Sequence, residues 1–292
     1  MIRKRRILLI GAAIGLAAAV LAVQFVRPRR KGTWARIQRE GLIRIGYSVE
    51  APYVFLDDRG DLTGIEVDVA RAVMERAGVP RIEWVQANVG SLLPELEAGR
   101  SDAISGLYIT PERARRVAFS EPTFRARQTL LVRTGNPRRF HSFDDLLRSD
   151  AKIAVLHGTI EEGMVLEIGF PESRVVEIPD VLTGRIALET GLVEALALSE
   201  PAALFMTRRQ MLGLTEIAQP FTQPQPVHGL PKEFGAAVFR KADSDLLGAW
   251  NNAMAGFIGS PEHLRMLARY GLGEEVLPGK VTTSDILSSK RE

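Results

Sequence analysis

From Gly41 onward the chain alternates short apolar runs with stretches whose apolar residues recur every three or four positions, the mark of strands interleaved with amphipathic helices. Leu42-Ile43-Arg44-Ile45-Gly46-Tyr47 reads as a first strand. Ile65 to Ala77 reads as a helix, with Ile65, Val69, Val73 and Met74 on one face and Gly78 closing it. Glu83-Trp84-Val85 is the next strand. Ser91 is expected to cap a helix over Leu92–Ala98, with Pro94 tolerated in its first turn and Gly99 ending it. Asp102–Ile109 and Gln128–Arg133 read as strands, the latter followed by the breaker Gly135-Asn136-Pro137.

A second series follows. Ser142 caps a helix over Phe143–Arg148, Ile153–Leu156 is a strand, and Thr159 with Glu162 makes a capping box after Gly158. Val175–Ile178 and Ala195–Leu198 read as strands on either side of a helix over Val181–Thr190. A proline-rich loop, Pro220 to Pro231, precedes a strand at Gly235–Phe239 and two helices, Asp243–Ile258 and Pro261–Tyr270, the second capped by Ser260. The pattern predicts an α/β protein of two lobes whose boundary the chain crosses twice, near 130–135 and 232–240. The expected division is residues 38–132 with 237–275 as lobe 1, 133–236 as lobe 2, and 276–292 as a C-terminal tail. In such an architecture a ligand sits between the lobes, and closure is a hinge motion.

The first 31 residues are different. Ile7 to Val26 is an apolar run of 20 residues broken only by Gly11, Gly15 and Gln24, preceded by Arg3, Lys4, Arg5 and Arg6. It is long enough to cross about 30 Å of hydrocarbon as a helix, and it equally fits a secretory signal. Residues 1–31 are therefore read as a signal peptide or an N-terminal membrane anchor, with the body outside the cytoplasmic membrane. The formal charge of +3 comes from this segment, which holds eight Lys/Arg and no acid. Setting those eight aside leaves 30 basic against 35 acidic residues, a net of −5, which argues against a nucleic-acid partner. The absence of cysteine excludes disulfides, thiolate metal sites, a cysteine nucleophile and a lipid-modified cysteine. The four histidines (His141, His157, His228, His263) show no metal-ligand spacing, and no phosphate loop, dinucleotide fingerprint or serine elbow occurs, so neither a cofactor nor a metal is expected.

The most informative chemistry lies in Gly106-Leu107-Tyr108-Ile109-Thr110-Pro111-Glu112-Arg113, followed by Phe119-Ser120-Glu121-Pro122. Thr110 is a good N-cap and Pro111 suits the first helical position. The free N–H groups of that turn favour an anion, and Arg113 beside them can add a planar bidentate fork. A solvated arginine on an ordinary strand–turn–helix is the alternative.

With Ile45-Gly46-Tyr47, Gly64–Ala70, Val155-Leu156-His157-Gly158-Thr159 and Phe234–Lys241, this motif makes the chain resemble the family 3 extracytoplasmic solute-binding proteins, the polar amino-acid receptors of ABC importers. The resemblance covers roughly residues 38–275. Glu50-Ala51-Pro52-Tyr53, Phe257–Leu264 and Leu277-Pro278-Gly279 make it most similar to the ectoine/hydroxyectoine-binding branch. It implies a periplasmic-binding-protein type II fold, two α/β lobes joined by two hinge strands. It also implies a monomeric receptor that closes on a small zwitterion and delivers it to a permease.

Family roles transfer by residue. Arg113 matches the arginine that holds a ligand carboxylate, aided by groups around Ser105, Gly106 and Thr110. Gly158 and Thr159 match the second-lobe turn that takes the same carboxylate on closure. Tyr53 and Tyr108 match aromatic positions lining the pocket, where a delocalised cation could stack. Glu50 lies where the ectoine branch sets a carboxylate against the cationic ring, and Glu66 where many members carry an acid near the ligand. Core packing for the tyrosines and exposed loop or helix-start positions for the acids are the alternatives.

Two departures stand out. The aspartate that usually grips an α-ammonium is replaced by Ser199, and Val89 stands where the ectoine receptors place a third aromatic. An enzyme similar to cyclohexadienyl dehydratase, with Glu200 as general acid, and a membrane-tethered ligand sensor are the competing readings.

Overall fold

The computed structural model describes residues 32–209, 213–224 and 233–288. The expected apolar span at 7–26, the signal-or-anchor segment as a whole and part of the proline-rich loop lie outside these residues. Among the described residues no helix is long and apolar enough to cross a membrane.

Thirteen strands build the described chain: β1 (Leu42–Tyr47), β2 (Phe55–Leu56), β3 (Leu62–Thr63), β4 (Arg81–Gln86), β5 (Ala103–Tyr108), β6 (Val117–Phe119), β7 (Phe124–Arg125), β8 (Gln128–Arg133), β9 (Ile153–Leu156), β10 (Val175–Ile178), β11 (Ala195–Ser199), β12 (Thr215–Ile217) and β13 (Phe234–Arg240). Most fall into two sheets. The first runs β4-β1-β5-β13-β6, with β7 also on β13. The second runs β10-β9-β11-β8-β12. Strands linked through helices pair in parallel, β1 with β4 and β5 in the first sheet and β9 with β10 and β11 in the second. The strands next to the crossings, β8 and β13, pair antiparallel with their neighbours, because the chain enters them from the other half rather than through a crossover helix.

The expected boundaries at 132/133 and 236/237 each fall inside a strand. β8 is hydrogen-bonded along Gln128–Val132 to β11 and so belongs wholly to the second sheet. Gly235 and Ala236 already pair with Tyr108 and Leu107 of the first. The breaker at 135–137 ends a strand there, not a lobe. Residues 276–288 are also more than a tail. A short helix, Thr283–Ser288, sets Ile286 into the core around Leu92, Ile104 and Val238, and its first residue bonds Ser120 and Glu121.

Helix boundaries follow local chemistry where the cap is a side chain. Thr110, Ser142, Thr159 and Ser260 each accept from the backbone N–H three residues on. The helix expected from Ser91 instead begins at Val89 with Asn88 as N-cap, which puts Ser91 inside its first turn. A helix over Glu200–Arg209 was not expected; Pro201 sits in its first turn, where proline is tolerated.

Each sheet has its own core. Ile43, Val73, Phe239 and Trp250 pack on one face of the first, and Phe143, Val155, Val165 and Phe170 in the second. A further cluster spans the two, joining Tyr53 and Phe124 to Leu156 and Leu198. It floors the crevice between the lobes.

Candidate functional site

Between the lobes lies a crevice of about 540 Å³, counted to its open mouth. Seven of the eleven residues singled out from the sequence line it: Glu50, Tyr53, Ser105, Gly106, Tyr108, Arg113 and Thr159. Glu66, Thr110, Gly158 and Ser199 are not among the lining residues, and each has a physical reason.

Arg113 is placed by its cap. Thr110 Oγ1 accepts from the Arg113 backbone N–H at 3.1 Å, which turns the hydroxyl toward the first turn of the helix. The guanidinium then reaches inward, donating to the Tyr108 carbonyl at 2.9 Å and across the crevice to the Gly158 carbonyl at 3.0 Å. Burial pushes its pKa down, with Glu161 opposing through charge attraction. The Gly158 N–H, expected to meet a carboxylate, donates instead to Glu162 Oε2 at 2.6 Å. Gly158 therefore joins the site through its oxygen.

The backbone at Gly158 is left-handed (φ +81°), and a Cβ there would lie 2.7 Å from the Gly90 Cα on the opposite lobe. A side chain is thus excluded twice, by conformation and by the approach of the lobes. Gly158→Ala is expected to weaken ligand binding by about 1–3 kcal/mol, the usual range for overpacking a close contact. Calorimetry measures this, and scattering should show the variant more open. Unchanged affinity would mean that the Gly90 contact has no part in closure.

Ser199 is fully buried, and its Oγ accepts from the Tyr53 hydroxyl at 3.0 Å. The position where the resemblance would set an ammonium-gripping acid instead bonds one lobe to the other here. Glu66 stands behind the wall. It is 2 % exposed and accepts from Thr123 Oγ1 at 3.2 Å, and a Cβ on Gly106 would lie 2.6 Å from its Cγ. With φ +59°, Gly106 leaves room for that carboxyl at its back while its own backbone faces the crevice.

Of the lining residues not expected in the site, Phe124 and Glu161 bear most on a ligand. Phe124 packs against Tyr53 (ring centroids 4.9 Å apart) and edge-on to Tyr108 (5.4 Å), forming an aromatic wall of the crevice. Glu161, 5 % exposed, brings a second carboxylate into the crevice from the first turn of the helix Ile160–Glu167. The signal for Phe124 was its place just past Phe119-Ser120-Glu121-Pro122; nothing in the sequence separates Glu161 from the exposed acids around it.

The site is rich in acid. Burial, and then the nearby Glu161 charge, pushes Glu50 up to about 8. Burial carries Glu66 to about 7, against the Thr123 hydrogen bond. Burial takes Glu161 to about 6, against its own N–H, Thr159 and the Arg113 charge. A carboxyl whose folded pKa stands above its unfolded value binds more protons when folded, so stability falls as pH rises from the unfolded value to the folded one. His263, pushed down to about 4 by burial, works the other way, but only below its ordinary value of 6.5. Glu50 and Glu66 therefore decide the range above it. The melting temperature of the ligand-free protein is expected to fall between about pH 6.5 and 8.5, and Glu50→Gln to flatten that slope. A level or rising profile in both proteins would contradict this account of the buried acids.

Glu200, the candidate general acid of the dehydratase reading, begins the helix Glu200–Arg209 with its N–H on the Arg127 carbonyl and is not among the residues lining the crevice.

Comparison with known proteins identifies the family and the fold. Residues 43–273 match the family model of the bacterial extracellular solute-binding proteins, family 3. A probable amino-acid ABC transporter periplasmic-binding protein, y4tE of Sinorhizobium fredii (strain NBRC 101917 / NGR234), is 32% identical over 97% of this chain and 95% of its own length. The L-cystine-binding protein TcyJ of Escherichia coli (strain K12) is 27% identical over 83% of this chain and 86% of its own. Among solved structures, EhuB in complex with hydroxyectoine superposes with a TM-score of 0.78 at 28% identity, covering 88% of this chain and 98% of that one. The ancestral amino acid-binding protein AncCDT-1, a precursor of cyclohexadienyl dehydratase, gives 0.71 at 28% identity over 82% and 99%. The architecture is the two-lobed type II periplasmic-binding fold. With a crevice walled by both lobes and a match running from β1 to beyond the last long helix, this chain belongs to the bacterial extracellular solute-binding proteins, family 3.

Proposed function

We propose that this protein is the extracytoplasmic substrate-binding component of an ABC importer, and that it closes on a small zwitterion of the ectoine/hydroxyectoine or polar amino-acid type. The observation that carries the reading is the Arg113 clasp. A guanidinium from one lobe bonds the Gly158 carbonyl of the other at 3.0 Å, inside a crevice lined by Glu161 and by Glu50, whose raised pKa falls as a cation enters beside it, so that both act as carboxylates. The acid end of a zwitterion would lie on Arg113, and its cationic end between those carboxylates and the aromatic rings. The Tyr108 hydroxyl, buried without a well-formed hydrogen bond, is left to a ligand. With Ser199 committed to Tyr53, a compact cation held by charge and ring faces suits this site better than an α-ammonium held by the usual aspartate. The relatives' names support delivery to a permease in the cytoplasmic membrane and a periplasmic place of work. The protein would act as a monomer without cofactor, either released or held by its amino-terminal segment.

Thermal-shift screening tests the reading, with ectoine, hydroxyectoine, betaines, and polar and basic amino acids as probes. A true ligand at 100 times its dissociation constant should add about 2.7 kcal/mol of stability. If no zwitterion moved the melt while prephenate or arogenate was consumed, the receptor reading would be abandoned.

A further inference from the structure

The turn that presents Gly158 to Arg113 also carries His157, and the imidazole stands outside the crevice beside two carboxylates. His157 Nδ1 lies 3.2 Å from Glu162 Oε1 and 3.2 Å from Glu177 Oε2. One ring nitrogen carries at most one proton, so it cannot donate a well-formed hydrogen bond to both oxygens. Three chain segments supply the group: the turn after β9, the first turn of the helix Ile160–Glu167, and β10. All three ligand atoms lie within 4.8 Å of one another. The scattered histidines gave no sign of this, because the two partners come from a helix start and a neighbouring strand.

Two of the three side chains are oriented from behind. Glu162 Oε2 accepts the Gly158 N–H at 2.6 Å, which leaves Oε1 facing the imidazole. The far edge of the ring lies against Gly90 of the opposite lobe, where a Cβ would sit 3.2 Å from His157 Cδ2. The hydrogen bond from Gly158 is of the kind that fixes a metal ligand in place, while Gly90 confines the ring by packing. The spacing fits as well. Zinc bonds of about 2.0–2.2 Å in tetrahedral geometry set neighbouring ligand atoms about 3.3–3.6 Å apart, close to the two 3.2 Å separations.

We infer that His157, Glu162 and Glu177 bind a divalent transition-metal ion of the zinc class at the outer lip of the second lobe. One imidazole nitrogen and two carboxylate oxygens hold the ion, and water completes its coordination. Mixed nitrogen and oxygen ligands select zinc, cobalt or nickel over calcium and magnesium, which take oxygen alone. The side chains of His157 and Glu177 are 67% and 60% exposed, so an ion can enter from solvent without the lobes moving. None of the three residues lines the ligand crevice, and the site stands or falls independently of what that crevice binds.

The full chain, free of any polyhistidine tag and stripped with a chelator, is titrated with Zn²⁺ by calorimetry and with Co²⁺ by visible absorption. One saturable ion per chain is expected, with the cobalt bands of a low-coordinate nitrogen–oxygen site and no competition from Ca²⁺. His157→Asn and Glu177→Gln, both at exposed positions, should each weaken binding at least about tenfold while leaving the melting temperature of the metal-free chain in place. Absence of saturable uptake by the unaltered chain, or equal zinc affinity in both variants, overturns the assignment.

Discussion

Replacing Arg113 by alanine is expected to weaken ligand binding by about 2–5 kcal/mol, the cost of truncating one partner of a desolvated, hydrogen-bonded charge pair. That is roughly thirty-fold to several-thousand-fold in dissociation constant. Without the guanidinium, a ligand carboxylate would enter the crevice facing Glu50 and Glu161 with no opposing charge beside it. The clasp to the Gly158 carbonyl would also be lost. Arg113→Lys should fall between, since an ammonium keeps the charge but cannot span Tyr108 and Gly158 with one planar fork. Calorimetry with the zwitterion giving the largest melting shift decides the matter. The loss should appear in binding rather than in folding, because burial already works against the charged form of this arginine. An affinity within twofold of the unaltered protein would remove Arg113 from the site.

The second large effect concerns folding. Asp102 is 1 % exposed just before β5, where it accepts from the Arg44 backbone N–H (3.0 Å) and side chain (2.9 Å) and pairs with Arg36 at 2.7 Å. Arg240 stands 3.6 Å away. One carboxylate thus ties β1 and β13 to the helix Thr33–Glu40. Burial opposes its ionisation, but the hydrogen bonds from Arg44 and Arg36 prevail and hold it below the usual carboxylate range. Asp102→Ala is expected to cost about 3–5 kcal/mol of stability, the penalty for leaving one side of a buried pair uncompensated. The arginines keep 20–32% exposure and can rehydrate in part, which favours the lower end. The acid's folded pKa is depressed, so its contribution is present above the unfolded value near 3.8 and fades as pH falls through the folded one. Urea unfolding of the variant should show the loss in full at neutral pH and a smaller one toward pH 3. A change below about 1 kcal/mol at pH 7 would mean the three arginines do not depend on this acid.

How much of this could be read in the sequence depended on whether the governing interaction was local. Thr110, Pro111 and Arg113 sit within one helical turn, so cap chemistry alone placed the guanidinium beside the strand end. Tyr53 and Tyr108 carried over from the family resemblance and line the crevice as expected. Glu66 did not. Its helix start is where the sequence put it, but its rotamer depends on the space that Gly106 leaves and on Thr123, 57 positions away. Glu161 looked like one more acid in the run Ile160-Glu161-Glu162, and the folded crevice makes it a buried wall residue. The lobe boundaries failed for the same reason. The breaker at Gly135-Asn136-Pro137 is visible in the sequence, whereas the ladder from β8 to β11 pairs residues more than sixty positions apart. Ser199 was recognised as a departure, but its bond to Tyr53 links positions 146 residues apart and needed coordinates.

That last bond has a bearing on selectivity. The Tyr53–Ser199 and Arg113–Gly158 contacts join protein to protein, so they contribute equally to the shut form whichever solute is enclosed. In the ratio of affinities for two competing solutes such common terms cancel. Discrimination is therefore left to the few groups whose fit differs from one cargo to the next: Glu50, Glu161 and the three aromatic rings. Altering the latch would retune how strongly every cargo is retained, while altering those groups would change which cargo is chosen.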